Sequence, residues 1–287
     1  MTLLNTISKN GKQIVCNHIS VKSESLCFNK HPSEYIFYAL PEETTSLFYG
    51  IELEASSLNK YTTDSYAPTK IPFLKSDFIF TSYEGSVSPI VGLEFKNHPA
   101  TFKFLKKNKI QWHRILRQKT LKVNNTCGMH IHLSAAAFGD KTLFNFIKFI
   151  YSNKDFVFSL SERTEDKFNM WCRIGEGLNG KDCQKKFERI KEFPYESNKE
   201  TAITSNMYGK TIEVRIFAAT LNPIHFWKNL EFCDCVYHFC KYINSSEDTT
   251  VTNFINYLVN NKCKYRNLYN FLVLSNFLVK DMIPTCV

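Results

Sequence analysis

Three short stretches of the chain place two polar side chains one residue apart within strand-like sequence. They are Glu52-Leu53-Glu54 in FYGIELEA, His130-Ile131-His132 in CGMHIHLS, and Glu213-Val214-Arg215 in KTIEVRIFAATLN. Side chains at i and i+2 of a strand share a face. Each pair therefore lies on one surface, while Ile51, Leu53, Met129, Ile131, Ile212, Val214 and Ile216 point the other way, into a core. Taken singly, such pairs are often a solvated sheet face, an exposed His-x-His or a cross-strand ion pair. Three of them flanked by apolar β-formers predict a sheet whose second face is an ionic working surface.

Counting Glu94 and Glu84, five glutamates could converge with Glu52, Glu54 and Glu213 among them. Carboxylates brought onto one face repel each other, and some are forced neutral unless a cation joins them. Magnesium prefers carboxylate oxygens and water, and commonly bridges to the phosphates of a nucleotide. A histidine on that face can complete a metal shell or touch a phosphate, and the planar fork of Arg215 suits phosphate oxygens. No Gly-x-Ser-x-Gly and no Gly-Lys-Ser/Thr phosphate loop accompanies these residues.

The elements that must hold these groups read as follows. Leu47 to Ala55 alternates as a strand, DFIFTS and SVSPIVGLEF read as strands around the turn Tyr83-Glu84-Gly85, and CGMHIHLS returns as another. A helix opening at Pro99 would turn Phe102, Leu105, Trp112 and Leu116 inward. Leu143, Phe146, Ile147 and Ile150 have the spacing of an amphipathic helix. Asp166–Thr201 reads as lysine-rich and irregular, ahead of the strand Lys210–Ala218. Asn222-Pro223 is a helix start, with Asn able to cap and Pro favoured at the first position, and Phe226, Leu230, Cys233, Tyr237 and Cys240 continue a buried stripe. One or two further helices fall near Thr250–Asn261 and Tyr265–Val279. Strand hairpins with appended helices predict an α+β fold around an antiparallel sheet. The expected domains are an extension over 1–46, a catalytic domain over 47–245 and C-terminal helices over 246–287.

The chain has 287 residues, 44% hydrophobic, with 25 Phe and 14 Tyr against 10 Gly and 9 Pro, which excludes a disordered or repeat protein. No apolar run is long enough to span a membrane, and the first fifteen residues hold no secretory core, so a cytoplasmic protein is expected. The ten cysteines then read as reduced and mostly buried. Cys16, His18, Cys27 and His31 look loosely zinc-like without matching a finger spacing. The net charge is +9, and the interval between Glu94 and Asp140 holds nine basic residues and no acidic one. Lys96, Lys103, Lys106, Lys107, Lys109, Arg114, Arg117, Lys119 and Lys122 form either a solvated helix face or an attractor for a polyanion.

The stretches YGIELE, YEGSVSPIVGLEF, CGMHIHLS and SNMYGKTIEVRIFAATLN resemble the ordered motifs of amidoligases. These are ATP-dependent carboxylate–amine ligases of the glutamine synthetase and glutamate–cysteine ligase superfamily. The resemblance runs from about Leu47 to Tyr242. It implies a glutamine synthetase-like curved antiparallel sheet packed against helices, with the active site on its concave face. It further implies that Glu52, Glu54, Glu94 and Glu213 are metal carboxylates, with Glu84 a further candidate. His130 would help hold metal or nucleotide, with His132 its same-face neighbour. Arg215 would bind phosphate and act with Glu213 in catalysis. Asn206, Arg163 and Arg173 would contact nucleotide or substrate.

Two departures stand out. Glu84-Gly85-Ser86 replaces the usual Asp-Gly-Ser, and Asn97-His98-Pro99 replaces a Ser-Pro-Pro run. The implied reaction joins a small-molecule or peptide carboxylate to an amine through an acyl phosphate, using ATP and two or three Mg²⁺. A metal-dependent hydrolase and a nucleic-acid-binding protein on the same scaffold are the alternatives.

Overall fold

A computed structural model describes residues 4–7, 13–16, 35–57, 78–87, 91–174, 180–192, 200–206 and 210–277. His18, Cys27 and His31 lie outside them, and so does the side chain of Cys16. The chain divides into two compact units. One comprises Met1–Ala137, Thr211–Glu213 and Ala218–Leu221, the other Phe138–Lys210, Val214–Phe217 and Asn222–Val287. The class is α+β, as the strand hairpins with appended helices predict.

In the first unit, β1 (Leu4–Ile7), β2 (Gln13–Cys16) and β3 (Ile36–Tyr38) form a small antiparallel sheet. The main sheet is built from β4 (Tyr49–Ser57), β5 (Ile79–Tyr83), β6 (Val91–Asn97) and β8 (Gly128–Ser134) in the order β5-β6-β4-β8. The two-residue β7 (Leu121–Lys122) pairs with β4, and the opening residues of β10 (Thr211–Ala218) lie beside β8. All the pairings of β4 and that of β5 with β6 are antiparallel. Ile51, Leu53, Phe95, Met129, Ile131 and Leu133 are completely buried on one face. Burying a side chain of this size stabilises by about 1.5–3 kcal/mol. That sum fixes which face each strand turns inward, since slipping register by one residue would drive the glutamates into the core.

The helix expected from Pro99 is two helices. Thr101 caps α1 (Phe102–Lys107) by accepting from the Phe104 amide at 3.2 Å. Asn108 ends it, with both its backbone and side-chain N–H groups donating to the Phe104 carbonyl. After that break, α2 (Ile110–Leu116) turns Trp112, Ile115 and Leu116 inward.

The second unit is mostly helical: α3 (Asp140–Ser152), α4 (Lys154–Ser161), α5 (Glu165–Trp171), α6 (Gly180–Glu192), α7 (Pro223–Tyr242), α8 (Val251–Asn260) and α9 (Arg266–Leu274). It also holds β9 (Ile203–Asn206) and the second half of β10. The span 166–201 is therefore not irregular throughout, since its described residues include α5 and α6. Its lysines mask an apolar stripe at Cys183, Phe187 and Ile190, spaced i, i+4, i+7, and the Phe187 ring meets Phe144 of α3 at 5.8 Å. The core is aromatic: Phe149 stacks against Phe156, Phe239 and Phe254 with ring centroids 4.9 to 6.3 Å apart. Among the described residues no helix is long and apolar enough to cross a membrane. Six of the described cysteines are buried thiols, and Cys263 is exposed.

Helix α7 starts as expected, with Asn222 accepting from the Ile224 amide and Pro223 at its first position. It is buried on nearly every side, so its charged residues must find partners. Lys228 donates to the Leu160 carbonyl at 2.6 Å and to Glu162 at 2.9 Å. Asp234 accepts from the Tyr265 hydroxyl and from Lys264, both at 2.7 Å. Glu231 accepts from the Leu268 amide at 2.8 Å and from Asn267 at 2.6 Å, supplying the cap that α9 lacks of its own. Glu231→Ala leaves the buried Leu268 amide and the half-buried Asn267 side chain without this acceptor. It should lower stability by about 2–3 kcal/mol in urea unfolding, and a loss under about 0.5 kcal/mol would show that the cap contributes nothing.

Candidate active site

The register of β4 with its neighbours assembles the polar face in two transverse rows. Glu52 lies opposite Lys96 on β6 and opposite His130 on β8. One step along, Glu54 lies opposite Glu94, and Glu94 lies opposite Ser82 of β5. Two glutamates directly opposite one another in a ladder are destabilising, so a merely structural face would avoid the Glu54/Glu94 pairing.

The side chains converge closely. His130 Nδ1 lies 3.5 Å from Glu52 and 3.5 Å from Glu213, bridging two strands that both flank β8. His132 Nε2 lies 3.4 Å from Glu52, while its Nδ1 lies 3.2 Å from the Thr211 hydroxyl, which fixes the ring. Lys96 Nζ reaches Glu94 at 2.6 Å and Glu52 at 3.5 Å. Glu94 also accepts from the Ser82 hydroxyl at 3.1 Å, and Glu54 from the Gly128 amide at 2.6 Å. Glu213 is 1% exposed, and Glu54, Glu94, His130 and His132 are all buried.

Glu84 sits on the turn between β5 and β6 and accepts from the Ser86 amide and hydroxyl at 3.0 and 2.7 Å. Gly92 makes that turn possible, because a Cβ there would collide with the Glu84 carbonyl oxygen and lie 2.8 Å from Val87 Cβ. Asn97, in the altered motif, has a structural task. It accepts from the Ile51 amide at 2.9 Å and donates to the Tyr49 carbonyl at 3.2 Å, replacing ladder bonds where β6 ends.

Three overlapping sets of donor atoms each lie within 4.8 Å of one another: Glu52/His132/Glu213, Glu52/Glu94/His130 and Glu54/Glu84/Glu94. Oxygens dominate, with one imidazole in two of the sets, a donor chemistry that fits a hard divalent ion such as Mg²⁺ or Mn²⁺. Burial works against ionising Glu52, but His132, His130 and Lys96 outweigh it and hold that carboxyl well below its ordinary range. Burial and the charge of Glu52 push Glu94 up to about 8, although Lys96 opposes them. Burial disfavours the charged forms of Lys96 and His132, yet Glu52 with Glu94 in the first case, and Glu52 with Glu213 in the second, hold both above their usual values.

The other expected site residues have contacts of their own. Arg215 shares a face of β10 with Glu213, and its amide donates to the Ala202 carbonyl at 2.9 Å. Arg163 is buried, its Nε donating to the Ile216 carbonyl at 3.2 Å. Arg173 is exposed and paired with Glu200 at 2.9 Å. Asn206 ends β9, and its side chain lies outside the described residues. Lys96 belongs to the basic interval by sequence, but it stands on β6, where Glu94-Phe95-Lys96 has the same i, i+2 spacing as the other pairs. The eight remaining basic residues of the interval stand exposed or half-exposed.

The sheet face carries four glutamates, two histidines and a lysine, and three sets of its carboxylate and imidazole atoms could hold a cation. The chain belongs to the amidoligase family: a family model described as "putative amidoligase enzyme" matches residues 49–237, the span holding every strand of this face. Membership makes it, at the level of the family, an enzyme that forms amide bonds. No curated protein matches the sequence.

The raised Glu94 has a consequence for stability. Unfolded, a glutamate loses its proton near pH ~4.3; folded, Glu94 does so only at about 8. Between those values the folded state binds more protons, so stability is fully present at the acid end and falls as pH rises, by at most about 1.4 kcal/mol per unit. His132, also raised, adds a loss of the same sign at higher pH, whereas the lowered Glu52 acts only below the window. Urea unfolding in metal-free buffer from about pH 5 to 8 should show a shallower decline for Glu94→Gln than for the natural protein. Parallel slopes would contradict the assignment.

Proposed function

We propose that this protein is an ATP-dependent carboxylate–amine ligase acting on a small-molecule or peptide carboxylate and an amine. Its site would lie on a glutamine synthetase-like sheet, on the face that carries Glu52, Glu54, Glu94, His130, His132 and Glu213. The observation that supports this best is the meeting of Glu52, His130, His132 and Glu213 within 3.5 Å contacts, in a chain of the amidoligase family.

A carboxylate does not condense with an amine in water, because its oxygen is a poor leaving group. Transfer of the γ-phosphoryl group of ATP to a carboxylate oxygen gives an acyl phosphate and ADP. The amine then attacks the acyl carbon, its proton passes to solvent or a nearby base, and inorganic phosphate leaves with the carboxylate oxygen. No protein nucleophile is required; positioning and charge cancellation carry the rate. Divalent ions held by the glutamates and an imidazole would supply neutralisation of the phosphate oxygens. Glu213 and Glu52 orient His130 between them, and Thr211 orients His132 toward Glu52. Arg215, two residues beyond Glu213 on the same face of β10, offers two parallel N–H donors to a phosphate.

The test is a screen of amino acids, polyamines and peptides with Mg²⁺ and ATP, read by mass gain and by ADP release. Release of ADP and phosphate should require both a carboxylate and an amine, and Glu213→Gln should reduce it by roughly a hundredfold or more. Amide hydrolysis that proceeds without ATP would instead assign a metal-dependent hydrolase.

A further inference from the structure

The three donor sets differ in what already faces them. In Glu52/Glu94/His130, both carboxylates are met by the ammonium group of Lys96, at 2.6 Å from Glu94 and 3.5 Å from Glu52. That contact follows from the backbone. Lys96 lies opposite Glu52 across the β4/β6 ladder and shares a face with Glu94 two residues earlier. Its side chain is only 12% exposed, so it is held in the face and not folded back from solvent. In Glu52/Glu94/His130 and in Glu52/His132/Glu213 alike, the nitrogen counted among the donors belongs to an imidazole, which in its neutral form offers a lone pair and can become a ligand. An ammonium has no lone pair. It can only take the place of a cation.

We propose that Lys96 is a built-in cation occupying the Glu52/Glu94 position, so that this chain takes one divalent ion fewer than its carboxylates could hold. The inference rests on the metal-holding reading of the site given above. An ammonium has three N–H donors, and Lys96 Nζ meets both Glu52 and Glu94. At that position the protein supplies a single positive charge that chelators cannot remove, where a metal would supply two. Lys96 is thereby a positioning residue: it holds Glu52 in place for the imidazoles on its other side.

Equilibrium dialysis against Mn²⁺, without nucleotide, tests this on the full chain and on Lys96→Met and Lys96→Gln, with folding checked by circular dichroism. Both neutral variants should bind one Mn²⁺ per chain more than the natural protein. Equal stoichiometry overturns the proposal. The two readings separate, because a natural protein that binds none beside variants that bind one keeps the lysine proposal and sinks the metal-loaded ligase. Should neither variant fold, anomalous scattering from Mn²⁺-soaked crystals of the natural protein decides. Lys96 against Glu94 with no peak between Glu52 and Glu94 supports the inference, and a peak there with Lys96 displaced refutes it.

Discussion

Repulsion among carboxylates withdrawn from water is the constraint around which the main sheet is organised. Two carboxylates within 4.8 Å of each other repel by roughly 3–4 kcal/mol at the effective dielectric of a protein. Glu52, Glu54, Glu94 and Glu213 share one buried face, so the penalty is multiplied. Lys96 and the two histidines lower it, the Gly128 amide and Ser82 hydroxyl each take up part of a carboxylate's hydrogen-bonding demand, and Glu94 answers by holding its proton to about 8. Well-packed apolar residues on this face would be at least as stable, so the fold alone does not call for these charges.

The opposite face supplies the stability that makes this possible. Ile51, Leu53, Met129 and Ile131 are completely buried, and each alternates with a site residue on the same strand. The packing that secures the fold therefore also sets the positions of the acids. Register does the remainder: the pairing of β4 with β6 and β8 brings residues from three separated stretches of sequence into two rows. The second unit shows the same economy in another form. Lys228, Glu231 and Asp234 of α7 are buried, and each ties down the end of a neighbouring helix or the loop that precedes one.

What could be read from the chain was whatever depended on local spacing. The i, i+2 pairs identified Glu52, Glu54, His130, His132 and Glu213, because strand periodicity assigns faces without knowledge of the partner strand. The start of α7 was legible for a similar reason, since Asn222-Pro223 is a complete local signal. Lys96 was missed because its meaning depends on the strand opposite, where Glu52 waits for it; within its own neighbourhood it is one lysine among many. Helix α6 was missed because lysines dominate its composition and its apolar stripe is only three residues long. The break between α1 and α2 hides in Asn108, whose side chain closes the first helix through a hydrogen bond no periodicity records. Asn97 looked like a lost motif, yet its amide replaces backbone ladder bonds at the end of a strand.

That the imidazoles and carboxylates act together on one ion can be examined directly by electron spin-echo spectroscopy of the protein loaded with Mn²⁺. Nitrogen modulation from a directly bound imidazole is expected, and it should vanish when His130 and His132 are both replaced by alanine. Bound Mn²⁺ that shows only water protons and no nitrogen would contradict the convergence of these residues on a single metal-holding centre.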